Sequence, residues 1–165
     1  MLGKHELLEW LSSVDKKLGK EITLVAVGGT AMTLLGLKSS TRDVDFCLSS
    51  DDKARFEKVM GAAFKVDVFV NGYIFSEQLP ADYLDKAKDI RIFPKIRLKA
   101  LHPVDIVITK AARFNARDEE DIAAVAKYVE KGELLKRFEE VVGTFAGNEG
   151  EYRYYISIII KRFFS

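Results

Sequence analysis

The chain is poor in the residues from which disulfide scaffolds, zinc centres and fibres are built. It has one cysteine, Cys47, among 165 residues, which excludes an internal disulfide and a cysteine-rich metal site. Two histidines, His5 and His102, do not make up the deficit, so a structural zinc centre is not expected. Three prolines and eleven glycines exclude a collagen-like or low-complexity chain. No stretch approaches the roughly 18 apolar residues that cross a bilayer. The run Ile158-Ile159-Ile160 is followed at once by Lys161-Arg162. Met1 to Trp10 carries Glu6 and Glu9 and no apolar block, unlike a secretory signal. These absences together predict a reduced, cytoplasmic protein with no membrane contact. One glutamine (Gln78) and three asparagines (Asn71, Asn115, Asn148) beside 31% charged residues lean towards a thermophilic source.

What is present suffices for a core. Hydrophobic residues make up 48%, and a chain of this length buries a core without covalent staples. Twenty-six Lys and Arg against twenty-five Asp and Glu leave a formal charge of +1. That excludes a protein that is basic throughout and leaves room for a local basic face. Leu7, Leu8, Leu11, Val14 and Leu18 recur at helical spacing and stop at Gly19. Ile22 to Val27 reads as a buried strand ending at Gly28-Gly29, and Thr30 to Leu37 as a short apolar helix. Val44 to Leu48 reads as a second strand, a helix opens at Asp51-Asp52, and Lys65 to Val70 reads as a third strand. Asn71-Gly72 is a turn signal. One helical turn is expected after Pro80, and Ile90 to Leu101 is expected to be a strand pair or a bent edge strand. Pro103 starts a helix, and Asp118 is expected to cap the next one. Leu134 to Phe145 and Tyr152 to Phe163 read as further helices, the second with a strand as the alternative. The layout is an α/β (α+β) fold: a mixed β-sheet flanked by helices over residues 1–125, and a C-terminal helical extension, 126–165, packed on the same domain.

Three features carry chemistry. Paired glycines between a strand and a helix, Gly28-Gly29-Thr30, allow backbone N–H groups to approach an anion. The bland alternative is a tight turn that binds nothing. Asp43 and Asp45 stand two apart on a strand, so both carboxylates point to one face, where a divalent cation would relieve their repulsion. The alternative is a solvated strand end paired with Arg42. Asp67 interrupts the apolar run Val66 to Val70, and an unpaired carboxylate in a buried strand is costly. If the two strands are neighbours, about 4.8 Å apart, the three carboxylates converge into a site able to hold two metals. The alternative is an edge aspartate facing water.

These residues resemble a known superfamily. Gly28-Gly29-Thr30-Ala31, Leu34-Leu35-Gly36 and Thr41-Arg42-Asp43-Val44-Asp45-Phe46 look like the signature of the DNA polymerase β-like nucleotidyltransferases, with fourteen positions from Gly29 to Asp43. The variant is similar to the abortive-infection type nucleotidyltransferase toxins and their uncharacterised relatives. Those relatives carry a lysine-bearing helix followed by a stretch like Arg117-Asp118-Glu119-Glu120-Asp121, which makes Lys110 the matching lysine. The usual glycine-serine turn has Gly29 in place of serine, with Thr30 next to it.

The resemblance implies transfer of NMP from an NTP to a hydroxyl of an RNA, protein or small-molecule acceptor, in a protein that is one half of a toxin–antitoxin pair. It implies Mg²⁺, two ions with Mn²⁺ as a substitute, held by Asp43, Asp45 and Asp67, the last helping to deprotonate the attacking hydroxyl. It implies phosphate contacts from Gly28, Gly29 and Thr30 beside Arg42, and charge neutralisation by Lys110. Asp118 and Asp121 are read as helix-cap residues. The rival class is a non-catalytic nucleotide-binding or partner-docking module on the same fold. A further alternative is a structural subunit that uses the aromatic C-terminal helix. Apart from the resemblance, Lys95, Arg97 and Lys99 alternate on one strand face, within a basic stretch from Lys86 to Arg117 suited to a polyanionic acceptor. The sequence leaves the oligomeric state open.

Overall fold

The computed structural model describes residues 1–164. The elements run in the order α1 (Lys4–Asp15), β1 (Ile22–Ala26), α2 (Gly28–Leu34), β2 (Val44–Leu48), α3 (Ser50–Val59), β3 (Val66–Val70), β4 (Tyr73–Ile74), β5 (Glu77–Gln78), α4 (Tyr83–Lys86), β6 (Lys88–Ile92), β7 (Ile96–Ala100), α5 (Pro103–Ala111), α6 (Ala116–Val125), α7 (Lys131–Val141) and α8 (Glu149–Phe163). Single 3₁₀ turns follow α6 and α7. The chain divides into two compact units, one of Met1–Asn71 with Lys86–Leu101 and one of Gly72–Asp85 with His102–Ser165. The boundary expected at 125 falls inside the second unit, because α5 packs against α6, α7 and α8. No described helix is long and apolar enough to cross a membrane.

The first unit is a five-stranded mixed sheet in the order β3-β2-β1-β7-β6. β1 runs antiparallel to β2 and parallel to β7, β2 runs parallel to β3, and β6 closes the far edge antiparallel to β7. The expected strand pair over Ile90 to Leu101 is thus the β6–β7 hairpin. One sheet face holds the aromatic core, where Phe46 of β2 meets Trp10 of α1 and Phe56 of α3 at centroid distances of 6.2 and 5.8 Å. Trp10 also packs edge-on against Phe64 at 4.7 Å. Ser49 caps α3 by accepting from the N–H of Asp52, and Asp51 and Asp52 favour the positive end of the helix dipole.

The second unit is built round α5, every residue of which is buried from Pro103 to Ala111. Tyr152 of α8 lies between Phe138 and Phe145, and its hydroxyl donates to the Ile108 carbonyl at 2.9 Å. The helical reading of the C-terminal segment therefore prevails over the strand, and its stripe Tyr152, Ile156 and Ile159 is the buried one. The expected cap of α6 is displaced by three residues. Asn115 is the N-cap, and it exchanges hydrogen bonds of 3.0 and 3.1 Å with Asp118, which closes a capping box.

Glu77 on β5 is 5% exposed, and this burial pushes its carboxyl up from the ordinary 4.5 to about 7, although backbone hydrogen bonds and the Arg113 guanidinium pull the other way. An acid raised in the folded state stabilises the fold fully below about pH 4.5 and loses that contribution as pH rises through about 7. Glu77→Gln is therefore expected to stabilise the protein by about 2–3 kcal/mol at pH 8 and to change little at pH 4. Urea denaturation at the two pH values checks this, and an equal effect at both would rule it out.

Candidate active site

The site is assembled where β1 ends and β2 begins. Val27, the first residue after β1, donates its N–H to the Asp45 carbonyl at 3.1 Å, which brings the glycine turn against the second strand. Gly28 has φ of 55°, a left-handed conformation that favours glycine. A Cβ there would stand 3.5 Å from Asp45 Oδ2, so the turn and the carboxylate are in close approach. A Cβ on Gly29 would come within 2.8 Å of Thr41 Oγ1, too close for a side chain. Gly28 is thus favoured by its own backbone and Gly29 is required by its neighbour.

Two threonines hold this arrangement. Thr30 Oγ1 donates to the Asp43 carbonyl and accepts from the Asp45 N–H, both at 3.0 Å. Thr41 Oγ1 donates to the same Asp43 carbonyl at 2.7 Å, and the Thr41 backbone is bridged to Leu2 by two bonds of 2.8 Å. The resemblance implies a phosphate contact for Thr30. Its side chain is fully buried and its hydroxyl is engaged with the strand, so the hydroxyl positions the aspartates and the backbone N–H is left for a phosphate. Thr41 escapes sequence reasoning, because a threonine beside an Arg-Asp-Val-Asp motif carries no signal for this role.

The carboxylates follow the sheet. Asp45 is directly opposite Asp67 in the parallel β2–β3 register, so the two side chains leave the same face of adjacent strands. Both are half-buried. Asp43 lies in the bend just before β2 and is exposed, as is Arg42 beside it. Asp67 also stands 3.9 Å from the ammonium of Lys65, an exposed pair of little energetic weight.

A family model described as "Nucleotidyltransferase of unknown function (DUF6036)" matches residues 5–161. The chain belongs to this family. Among solved structures, that of ANT(2")-Ia in complex with adenylyl-2"-tobramycin is similar, with a TM-score of 0.55 over 94% of this chain and 97% of that chain. The identity is 9%, so the likeness is one of fold. The search of curated proteins gives no match. The mixed sheet flanked by helices is accordingly a nucleotidyltransferase fold.

Lys110 lies in the second unit, 5% exposed, with its ammonium 2.8 Å from Asp121 and 3.6 Å from Asp118. Asp118 is itself fully buried and also takes two hydrogen bonds from Arg113, at 2.9 and 3.1 Å. The lysine is thus buried and charge-balanced within its own unit. Asp118 and Asp121, expected as caps, are its counter-ions as well.

The donors at this site suit a divalent cation in kind, being carboxylate oxygens only. They also suit one in placement, since Asp45 and Asp67 are in register on one face and Gly28 lets backbone come close to Asp45. They do not form a finished cage. Among the described residues no three His, Cys, Asp or Glu side chains converge closely enough to hold a metal ion.

Proposed function

We propose that the protein transfers a nucleoside monophosphate from a nucleoside triphosphate to a hydroxyl, releasing pyrophosphate, at the junction of the glycine turn with β2 and β3. The observation that carries this reading is the Asp45–Asp67 register beside the Gly28 turn. Asp43, Asp45 and Asp67 would hold Mg²⁺, or Mn²⁺ in its place. The cation would neutralise charge on the transferring phosphoryl group. The first turn of α2 supports a phosphate contact, because its intrahelical bonding begins only with Ala31 N–H to Val27, which leaves the N–H groups of Gly28, Gly29 and Thr30 without helical acceptors. Arg42, exposed beside Asp43, adds positive charge at the same place. In the reaction the bond between the α-phosphorus and its bridging oxygen breaks, the acceptor oxygen bonds to that phosphorus, and Asp67 accepts the hydroxyl proton. Catalysis comes from positioning and charge rather than from covalent chemistry by the protein.

The acceptor is a hydroxyl compound. The similar solved structure holds adenylyl-2"-tobramycin, which supports a small-molecule hydroxyl as one class. A role as toxin beside an antitoxin partner rests on motif likeness alone. The second reading, a non-catalytic nucleotide-binding module, draws on the incomplete convergence of the carboxylates.

Thermal unfolding with each of four NTPs, with and without Mg²⁺, separates the two readings. An enzyme of this kind is expected to be stabilised by at least one NTP only when Mg²⁺ is present, by about 2.7 kcal/mol at a hundredfold excess over Kd, and Asp67→Asn is expected to abolish that dependence. Stabilisation indifferent to Mg²⁺ and to Asp67→Asn would favour the binding module.

A further inference from the structure

The first unit has a basic end that the linear sequence does not display. α1 terminates at Asp15, whose buried carboxylate accepts from the backbone N–H groups of Lys95 and Ile96 at 2.7 and 2.8 Å. A second tie runs from the Ile22 N–H to the Lys95 carbonyl at 2.8 Å. These bonds bring segment 16–21, just past α1, against segment 91–97, the β6–β7 turn and its flanks, although Asp15 and Lys95 stand 80 positions apart in the chain. The first segment carries Lys16, Lys17 and Lys20, the second Arg91, Lys95 and Arg97, and Glu21 is the only acid in either. All but Lys95 are exposed, and Lys95 is half-buried. Three lysines at a helix C-terminus complement the helix dipole by themselves. That does not account for three further cations delivered to the same end by another segment.

Apolar groups are interleaved with the charges. Ile92 is 68% exposed, and the Arg91 guanidinium lies 5.9 Å from the centroid of the Phe93 ring. Phosphates satisfy the cations, and unstacked bases satisfy the ring and the guanidinium plane, which is the combination that single strands meet and duplexes do not. The end in question lies at the N-terminal ends of the parallel strands β1 and β7, whereas Gly28 follows the C-terminal end of β1. Five strand residues separate the two, about 17 Å, a span that a flexible strand of a few nucleotides covers.

We propose that this end is a docking surface for single-stranded RNA, holding the acceptor by its phosphates upstream of the hydroxyl that enters the glycine turn. The assignment of RNA as acceptor rests on the nucleotidyl-transfer reading; the binding surface does not. RNA fits that reaction because its 3′ end offers a ribose diol.

The test is fluorescence anisotropy of the full chain with a short labelled single-stranded RNA over a range of salt concentrations, for the wild type and for the triple variant Lys16→Ala, Lys20→Ala, Arg97→Ala. The variant is expected to bind RNA about tenfold more weakly at low salt and to show a log K against log salt slope shallower by about 2, the share of three single-strand phosphate contacts. Its circular dichroism and its Mg²⁺-dependent NTP binding are expected to match the wild type. No RNA binding by the wild type at low salt overturns the proposal, as does an unchanged slope in the variant. Single-stranded DNA shares the phosphates and bases and is expected to bind comparably; nucleotide transfer to its 3′ end as readily as to that of RNA overturns the assignment to RNA. If NTP binding proves absent while the variant still loses RNA affinity, the transfer reading fails and the surface stands. If the triple variant does not fold, the single Arg97→Gln variant carries the same comparison with a slope change of about 0.7.

Discussion

Arg137→Ala is expected to destabilise the second unit by about 3–5 kcal/mol, the scale for breaking a buried ion pair from one side. Arg137 is buried on α7, and its Nε and Nη2 donate to the two oxygens of Asp105 at 2.8 Å each, while Nη1 reaches Asp82 at 2.8 Å. Burial opposes the charge on the guanidinium, but the hydrogen bonds it donates to Asp105 and Asp82, with their negative charge, outweigh it and hold the group above its ordinary range. Asp105 is fully buried on α5, so truncating the arginine strands a carboxylate in the core of the unit. Asp82 is largely exposed and contributes little by comparison. Urea unfolding should therefore show a large loss for Arg137→Ala, a small one for Asp82→Ala, and partial recovery when Asp105→Asn is added to Arg137→Ala. Losses that simply add would mean the pair is not coupled.

The second large effect is on activity. Asp45→Asn keeps the shape of the side chain and removes its charge, and it is expected to lower nucleotidyl transfer about 10³-fold or more, as loss of a group that stabilises transition-state charge does. The backbone N–H and carbonyl of Asp45, which bond Thr30 and Val27, are untouched, so circular dichroism should report an intact fold. Thr30→Val is the companion variant. It removes the hydroxyl that binds the backbones of Asp43 and Asp45, so both activity and stability should fall. A Thr30→Val variant with wild-type stability and no activity would return the Thr30 hydroxyl to the phosphate contact that the motif implies.

Much of this is visible in the sequence, for identifiable reasons. The strands Ile22–Ala26, Val44–Leu48 and Val66–Val70 are apolar runs closed by turn residues, and a lone aspartate in such a run stands out. The Asp45–Asp67 alignment follows from taking those strands as neighbours, and the parallel register delivers it. The position of β7 beside β1 is not visible, because strand pairing between distant segments leaves no local periodicity. That pairing, with the Asp15 clamp, is what joins the lysines after α1 to the basic hairpin. The burial of Lys110 is legible in part. Its helix is buried on every side, as Val104, Ile106, Val107, Ile108 and Ala111 already hint, and a lysine there requires counter-ions of its own. The Asn115–Asp118 capping box is legible as Asn followed three residues later by an acid, but the acidic run that follows draws the cap to Asp118 instead. Burial of Glu77 in a two-residue strand has no sequence signal at all.

The central claim is that the chain moves a nucleoside monophosphate. The most direct measurement incubates the protein and Mg²⁺ with NTPs labelled in turn on the α- and the γ-phosphate, together with single-stranded RNA or a polyhydroxylated small molecule. The α label is expected to become covalently attached to an acceptor and the γ label to leave in pyrophosphate, and the Asp45→Asn variant is expected to do neither. Transfer of the γ label to the acceptor, or α-label transfer that survives Asp45→Asn, would contradict the claim.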